Sequence, residues 1–235
     1  MGAGRAIMSQ PDNPLHEYLL SLTEEERPAV CFLPTASGDL PEYIDEFYKT
    51  YSAEKCRPCH LQLFYREVLD LEKLLLEQDV IIVGGGNTAN MLAVWKLHGV
   101  DQILRKAYQR GILLAGGSAG AICWFEGGIS DSFSSKRLEP LSCGLGLLRG
   151  SVAPHYDVDP LRKPAFEKSI LSGQLKDGFA IDDASALYFV NEEIVEVVSS
   201  QQDSNAYRVA KEGNCVRTMP ASKHRRLLSG TTNRG

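Results

Sequence analysis

The chain has no apolar run near the roughly 18 residues that a membrane-spanning helix needs. Its start lacks a signal-peptide core, since Gln10 to Asn13 is polar and contains proline. Nor does it carry an excess of basic charge: 25 Lys and Arg stand against 30 Asp and Glu, a formal net charge of −5. That balance gives no electrostatic footing for nucleic acid or an anionic membrane. A cytoplasmic location is expected, with neither nucleic acid nor membrane as partner.

Cysteine is also scarce. Six residues, at positions 31, 56, 59, 123, 143 and 215, are too few and too scattered to form a disulfide framework in 235 residues. Cys56-Arg57-Pro58-Cys59-His60 has the C-x-x-C-H spacing of covalent haem attachment. However, that chemistry belongs to exported proteins, and there is no second C-x-x-C to complete a zinc site. Reduced, structural thiols are expected, with no metal and no cofactor.

What the chain does have is an ordinary globular composition, 43% hydrophobic and 23% charged, in a length that suits one domain, 1–235. β-rich apolar runs alternate with helical patterns, the signature of an α/β fold with a mainly parallel sheet flanked by helices. Helices are expected at Pro14–Leu22, Glu42–Tyr51, Leu69–Leu76, Ala89–Leu97, Asp101–Gln109, Ala119–Phe125 and Lys163–Leu171. Strands are expected at Ala29–Leu33, His60–Phe64, Val80–Val83 and Gly111–Ala115, with an extended stretch at Leu145–Ala153. From Gly178 onward short strands dominate, at Phe179–Ile181, Ala186–Val190, Ile194–Val198, Tyr207–Lys211 and Cys215–Met219. These predict antiparallel hairpins towards the C-terminus. The polar, basic stretch from Ala221 reads as a solvated tail. A doubly wound sheet usually opens on an apolar strand before its first glycine turn. Here Gly2-Ala3-Gly4 comes at once, as if that strand were missing or the start truncated.

Gly116-Gly117-Ser118-Ala119-Gly120 lies between an apolar strand and an apolar helix. A serine on such a turn projects its hydroxyl over the sheet edge, and the glycines remove Cβ atoms that would clash. A serine nucleophile needs a base. Of five histidines, His16 lies in a helix pattern, His60 at the head of a strand, His98 at a helix end and His224 in the basic tail. His155 alone follows an apolar extended segment into a loop, in Val152-Ala153-Pro154-His155, and strand ends are where α/β sheets collect their sites. The orienting carboxylate is expected after Phe179-Ala180-Ile181. Asp182 and Asp183 point to opposite sides of an extended segment, so one of the two faces His155. Asp157 and Asp159 compete for the role.

Two oxyanion donors are required. The Ala119 amide, directly after the serine, is the first, and the Gly84-Gly85-Gly86 loop offers the second, at Gly86. Gly84-x-Gly86-x-x-Ala89 also satisfies the G-x-G-x-x-G/A dinucleotide fingerprint, but the next strand ends in Ala115-Gly116-Gly117-Ser118 rather than in a ribose-binding acid. The order serine, histidine, acid differs from that of α/β-hydrolases, where the histidine comes last.

Val83-Gly84-Gly85-Gly86-Asn87-Thr88, Gly117-Ser118-Ala119-Gly120, Pro154-His155 and Ile181-Asp182-Asp183, in that order, resemble the peptidase E (aspartyl dipeptidase) family and its cyanophycinase relatives. The resemblance runs from about Pro14 to Met219. It implies a class I glutamine amidotransferase-like fold with serine in place of the nucleophilic cysteine, and a serine hydrolase acting on short, Asp-containing peptides. It places the nucleophile on Ser118, the base on His155 and the acid, commonly Glu in the family, on Asp183. The arginine that would bind a substrate carboxylate maps onto Arg162. Competing readings are an esterase or amidase on the same scaffold, and a catalytically silent binding protein that keeps the pocket.

Overall fold

The computed structural model describes residues 1–222 and 225–229, apart from the side chains of residues 5 and 6. His224, one of the five histidines considered above, lies outside the described residues, as do Lys223 and residues 230–235 of the expected tail. Helices α1 (Arg5–Met8) and α2 (Pro14–Leu20) precede β1 (Ala29–Leu33), a 3₁₀ turn at Thr35–Ser37, α3 (Pro41–Thr50) and β2 (Arg57–His60). Then come α4 (Leu71–Leu76), β3 (Val80–Val83), α5 (Thr88–His98), α6 (Val100–Gln109), β4 (Leu113–Gly116) and α7 (Ala119–Ile122). Beyond them lie β5 (Phe125–Ser130), β6 (Glu139–Leu141), β7 (Leu148–Ala153), α8 (Arg162–Leu171) and β8 (Gly178–Ile181). The remaining strands are β9 (Ser185–Val190), β10 (Glu193–Ser199), β11 (Ala206–Glu212), β12 (Cys215–Pro220) and β13 (Arg225–Leu227).

Local chemistry sets the helix ends. Asn13 caps α2 by accepting the Leu15 N–H, and Pro14 fills the first helical position, where no N–H is needed. Asn87 likewise caps α5 from the Asn90 N–H at 2.9 Å, and Gly99, at φ 73°, ends that helix in the left-handed region. Along α6, Val100, Ile103, Leu104 and Ala107 are buried at the spacing of one helix face.

Strands β2-β1-β3-β4, in that order, form a parallel sheet. β1 and β3 are buried along their whole length, as Ala-Val-Cys-Phe-Leu and Val-Ile-Ile-Val allow. A six-stranded mixed sheet runs β12-β11-β8-β7-β5-β6, parallel through β8, β7 and β5 and antiparallel at both flanks. A third sheet, β13-β10-β9, carries the antiparallel β9–β10 hairpin. The largest buried apolar cluster packs parts of both larger sheets together, from Cys31 and Trp95 to Phe125, Ile181 and Ala206. The fold is thus the expected mixed α/β class, with antiparallel strands near the C-terminus. No helix among the described residues is long and apolar enough to cross a membrane, and all six cysteines are free thiols.

Three local expectations need correction. The second strand is Arg57–His60 rather than His60–Phe64. Beyond it the backbone leaves the ladder, because buried Asp39 accepts the Leu63 and Phe64 N–H groups at 2.6 and 2.9 Å. The helix expected to reach Phe125 stops at Ile122, and β5 starts at Phe125. Gly127 and Gly128 let that strand lie close to its neighbours: a Cβ on them would meet Leu141 O at 2.3 Å and Val152 O at 2.4 Å. Finally, the stretch from Ala221 is not wholly a solvated tail. Arg225–Leu227 pairs with Val197–Ser199 of β10, and the Ala221 N–H donates to Ala206 O.

Candidate active site

β4 delivers the chain to Gly116, and α7 starts three residues later at Ala119. Ser118, between them, sits at φ 56° and ψ −116°. A non-glycine residue in such a conformation costs about 1–3 kcal/mol and persists only where its surroundings hold it. Here the Ala121 and Ile122 N–H groups both donate to Ser118 O, at 2.9 and 3.0 Å. The flanking glycines are sterically forced, since a Cβ on Gly116 would meet Gly120 O at 2.2 Å, and one on Gly120 would meet Val83 O at 2.2 Å.

His155 leaves the end of β7 and also has positive φ, 57°. The Tyr156 N–H donates to Ile181 O, which fixes the loop against β8. Its Nδ1 lies 2.6 Å from Asp183 Oδ1, with both side chains about three-quarters buried. An ionised carboxylate only accepts hydrogen bonds, so the Nδ1–H donates to Asp183, and in the neutral imidazole Nε2 then carries the lone pair. Asp183 is held in turn, because its backbone N–H donates to Asp157 Oδ1 at 2.9 Å.

The other acids separate cleanly. Asp182 points away from His155, accepting the Asn205 N–H at 2.8 Å and the Tyr207 hydroxyl at 3.3 Å. It is buried, and desolvation pushes its pKa up to about 6 despite those bonds. Asp159 pairs with Arg162 at 3.3 Å, and Asp157 holds the Asp183 backbone, so neither bonds the imidazole.

A cavity of about 540 Å³ joins these groups, with Gly86, Ser118, Ala119, His155 and Arg162 all on its wall. Arg162 opens α8 and is 7% exposed, a buried rather than a surface arginine. Its Nη1 donates to Ile129 O at 3.1 Å, while its buried Nε has no partner among the described residues. Burial lowers its pKa, opposed by the charge of Asp159 and then Asp131. On the Gly84-Gly85-Gly86-Asn87 turn, three amides are engaged: Gly84 with Leu33 O, Gly85 with the Tyr43 hydroxyl and Asn87 with Ala36 O. The Gly86 amide has no partner among the described residues. A loop with most of its amides committed to protein acceptors does not offer the nest of N–H groups a pyrophosphate needs, which argues against the dinucleotide fingerprint.

Sequence reasoning missed the segment that closes the cavity's other side. Ser130, Asp131, Ser132, Phe133, Ser134 and Ser135 all line it. The segment is tied to α5, with Ser132 O accepting from Asn87 Nδ2 at 2.8 Å and Ser132 Oγ from the Ala89 N–H at 3.2 Å. Its signal was available in the run of four serines and an aspartate directly after an apolar stretch.

The chain is similar to known peptidases over most of its length. The model of peptidase family S51 matches residues 1–197. An uncharacterized peptidase, YgaJ, of Bacillus subtilis (strain 168) is 45% identical over 223 residues, covering 94% of each chain. Among solved structures, a peptidase from an acI-B1 Actinobacterium superposes with a TM-score of 0.63 at 17% identity, covering 95% of this chain and 93% of its own. A candidate peptidase E from Listeria monocytogenes EGD-e gives 0.57 at 20% identity, covering 91% and 96%. At those identities the two structures speak for the fold.

Proposed function

The chain belongs to peptidase family S51, and from that premise we propose that it is a serine peptidase hydrolysing short peptides through Ser118, His155 and Asp183. The observation that carries the reading is the 2.6 Å His155–Asp183 bond on the wall of the cavity that also holds the strained Ser118. With Nδ1–H held by Asp183, Nε2 is the basic nitrogen that faces chemistry. It takes the Ser118 proton as Oγ attacks the scissile carbonyl. The oxyanion that forms is met by the Ala119 amide, which opens α7 without an intrahelical acceptor, and by the unpartnered Gly86 amide. His155 then passes the proton to the leaving amine. A water repeats the sequence against the acyl-serine, with His155 again as base.

The substrate preference rests on Arg162. A buried guanidinium that keeps an unpartnered N–H beside the catalytic cavity suits a carboxylate on the substrate, since a guanidinium can bond it through two parallel N–H groups. This supports Asp-Xaa dipeptides as the preferred class. The test is hydrolysis of a dipeptide library by the wild-type chain and by Ser118→Ala. The wild type should cleave, and the variant should lose on the order of 10⁶ in kcat, as removal of a catalytic serine does elsewhere. A variant that keeps more than about a tenth of the activity would exclude Ser118 as the nucleophile.

A further inference from the structure

The Cys56-Arg57-Pro58-Cys59-His60 run has no part in the hydrolytic site, yet one of its thiols has a partner that the C-x-x-C spacing does not show. Cys59, on β2, stands in register with Cys31 on β1. Residues matched this way on parallel strands send their side chains to the same face of the sheet. Both pack with the apolar cluster that holds Leu33, Leu61 and Leu75, whereas Cys56 belongs to the cluster on the opposite face, with Phe47 and Tyr51. The fold thus pairs Cys59 with Cys31 and turns it away from Cys56.

The register permits a bond between the two. Neighbouring strands lie about 4.8 Å apart, inside the Cα separation of roughly 4.4–6.8 Å that a disulfide spans. Side chains in register stand side by side rather than aimed at one another, so such a bond carries strain and is easily reduced. Access is one-sided. β2 is the outer strand of its sheet and Cys59 is only partly buried, while Cys31, on the strand inside it, is fully buried. Cys59 Sγ lies 3.5 Å from Gln78 Oε1, an amide that is tied to Leu74 O through Nε2 at 2.8 Å. A hydrogen bond from the Cys31 thiol holds the Cys59 pKa below the usual thiol range, against the opposing effect of burial. The same bond, and then desolvation, raises Cys31 well above that range. Cys59 therefore ionises first, and the thiolate is the form that meets an oxidant. Cys56 and Cys123, by contrast, are buried thiols whose pKa values desolvation raises.

We propose that Cys31 and Cys59 form a redox modification site, closed to a disulfide by hydrogen peroxide and reopened by a low-molecular-weight thiol. The Cys59 thiolate attacks one peroxide oxygen, the O–O bond breaks and hydroxide leaves, so that Cys59 becomes a sulfenic acid. The Cys31 sulfur then attacks the Cys59 sulfur. The S–S bond forms as the sulfenic oxygen departs and takes the Cys31 proton, leaving as water. Two thiols have lost two electrons and two protons, and one peroxide has become two waters. In the reverse direction an external thiolate attacks Cys59, the more accessible sulfur, and releases Cys31. A second external thiol then frees Cys59 and leaves as the small disulfide. A neighbouring resolving thiol keeps Cys59 from climbing to the irreversible sulfinic acid.

The test treats the folded, full-length chain with a small excess of hydrogen peroxide, blocks the remaining thiols with N-ethylmaleimide in denaturant, and maps the peptides without reduction. A Cys31–Cys59 cross-linked peptide should form at least about tenfold faster than Cys143 or Cys215 is oxidised, and incubation with glutathione should remove it. In Cys31→Ala, the Cys59 sulfenic acid should persist and be trapped by dimedone at several times the wild-type yield. Cys31 and Cys59 still free once Cys143 and Cys215 have reacted, a Cys56–Cys59 bond in place of the Cys31–Cys59 one, or equal dimedone trapping in both chains would each overturn the proposal. Should Cys31→Ala fail to fold, the wild-type map decides between these outcomes. None of the readouts involves hydrolysis, so the result stands whether or not Ser118 proves to be a nucleophile.

Discussion

Asp182 and Asp183 are adjacent carboxylates that the structure sends to opposite duties, and exchanging each for asparagine should separate activity from stability. In Asp183→Asn, the amide replaces the acceptor that holds the Nδ1–H of His155 at 2.6 Å. Its NH₂ can instead donate to Nδ1, which moves the proton to Nε2 and removes the base. The same exchange in a well-studied serine protease costs roughly 10⁴ in kcat. Asp182→Asn leaves that bond untouched, and its carbonyl can still accept from Asn205 and Tyr207. Its effect should appear in stability. The folded pKa of Asp182 is raised by burial from 3.8 to about 6. Between those values the folded state holds a proton that the unfolded state has released, so stability falls as pH rises through about 4 to 6. At roughly 1.4 kcal/mol per pKa unit, the loss is on the order of 2–3 kcal/mol. Asp182→Asn should remove that slope and be at least as stable as wild type at pH 7. The assay is kcat/KM for a cleaved dipeptide together with thermal midpoints from pH 4 to 7. Equal activity losses in the two variants, or an undiminished pH slope in Asp182→Asn, would refute the assignment.

Two further outcomes follow from named contacts. Arg162→Ala should erase a preference for Asp-Xaa over Asn-Xaa dipeptides, worth about one to two decades in kcat/KM for a charge-assisted bond, while a neutral substrate is affected less. An unchanged ratio would assign Arg162 to holding Asp159 and Ile129 alone. Gly120→Ala would drive a Cβ to 2.2 Å from Val83 O, so the turn carrying Ser118 must shift. A loss of about 1–3 kcal/mol, read as a lower midpoint, should accompany a fall in activity, and a variant with both intact would contradict the geometry of the turn.

Much of this site was legible because each residue sits where a strand ends. Ser118, His155 and Asp183 all follow short apolar runs, and strands of a shared orientation bring their C-terminal ends together. The glycines around Ser118 gave the turn away, since few other sequences let β4, α7 and β3 approach so closely. Strand alternation alone could not choose between Asp182 and Asp183, since it says only that they diverge; the family resemblance pointed to Asp183. Tyr207 and the Asn205 amide, more than twenty residues on, decide which one faces inward. Arg57–His60 was missed as a strand because it lies at a sheet edge, half-exposed, and includes a proline. The buried Asp39, which draws Leu63 and Phe64 out of the ladder, acts across 24 and 25 residues and leaves no local pattern. The brevity of α7 was readable in part from Gly127-Gly128, which favours close strand contacts over a continued helix.

The central claim is that His155, held by Asp183, activates Ser118. A fluorophosphonate probe tests it most directly, with the modified residue identified by peptide mapping of the wild-type chain and of His155→Ala. The account predicts a single phosphonyl adduct on Ser118 in the wild type, and labelling slowed by orders of magnitude in His155→Ala. An unlabelled Ser118 in folded protein, or labelling that proceeds equally well without His155, would contradict it.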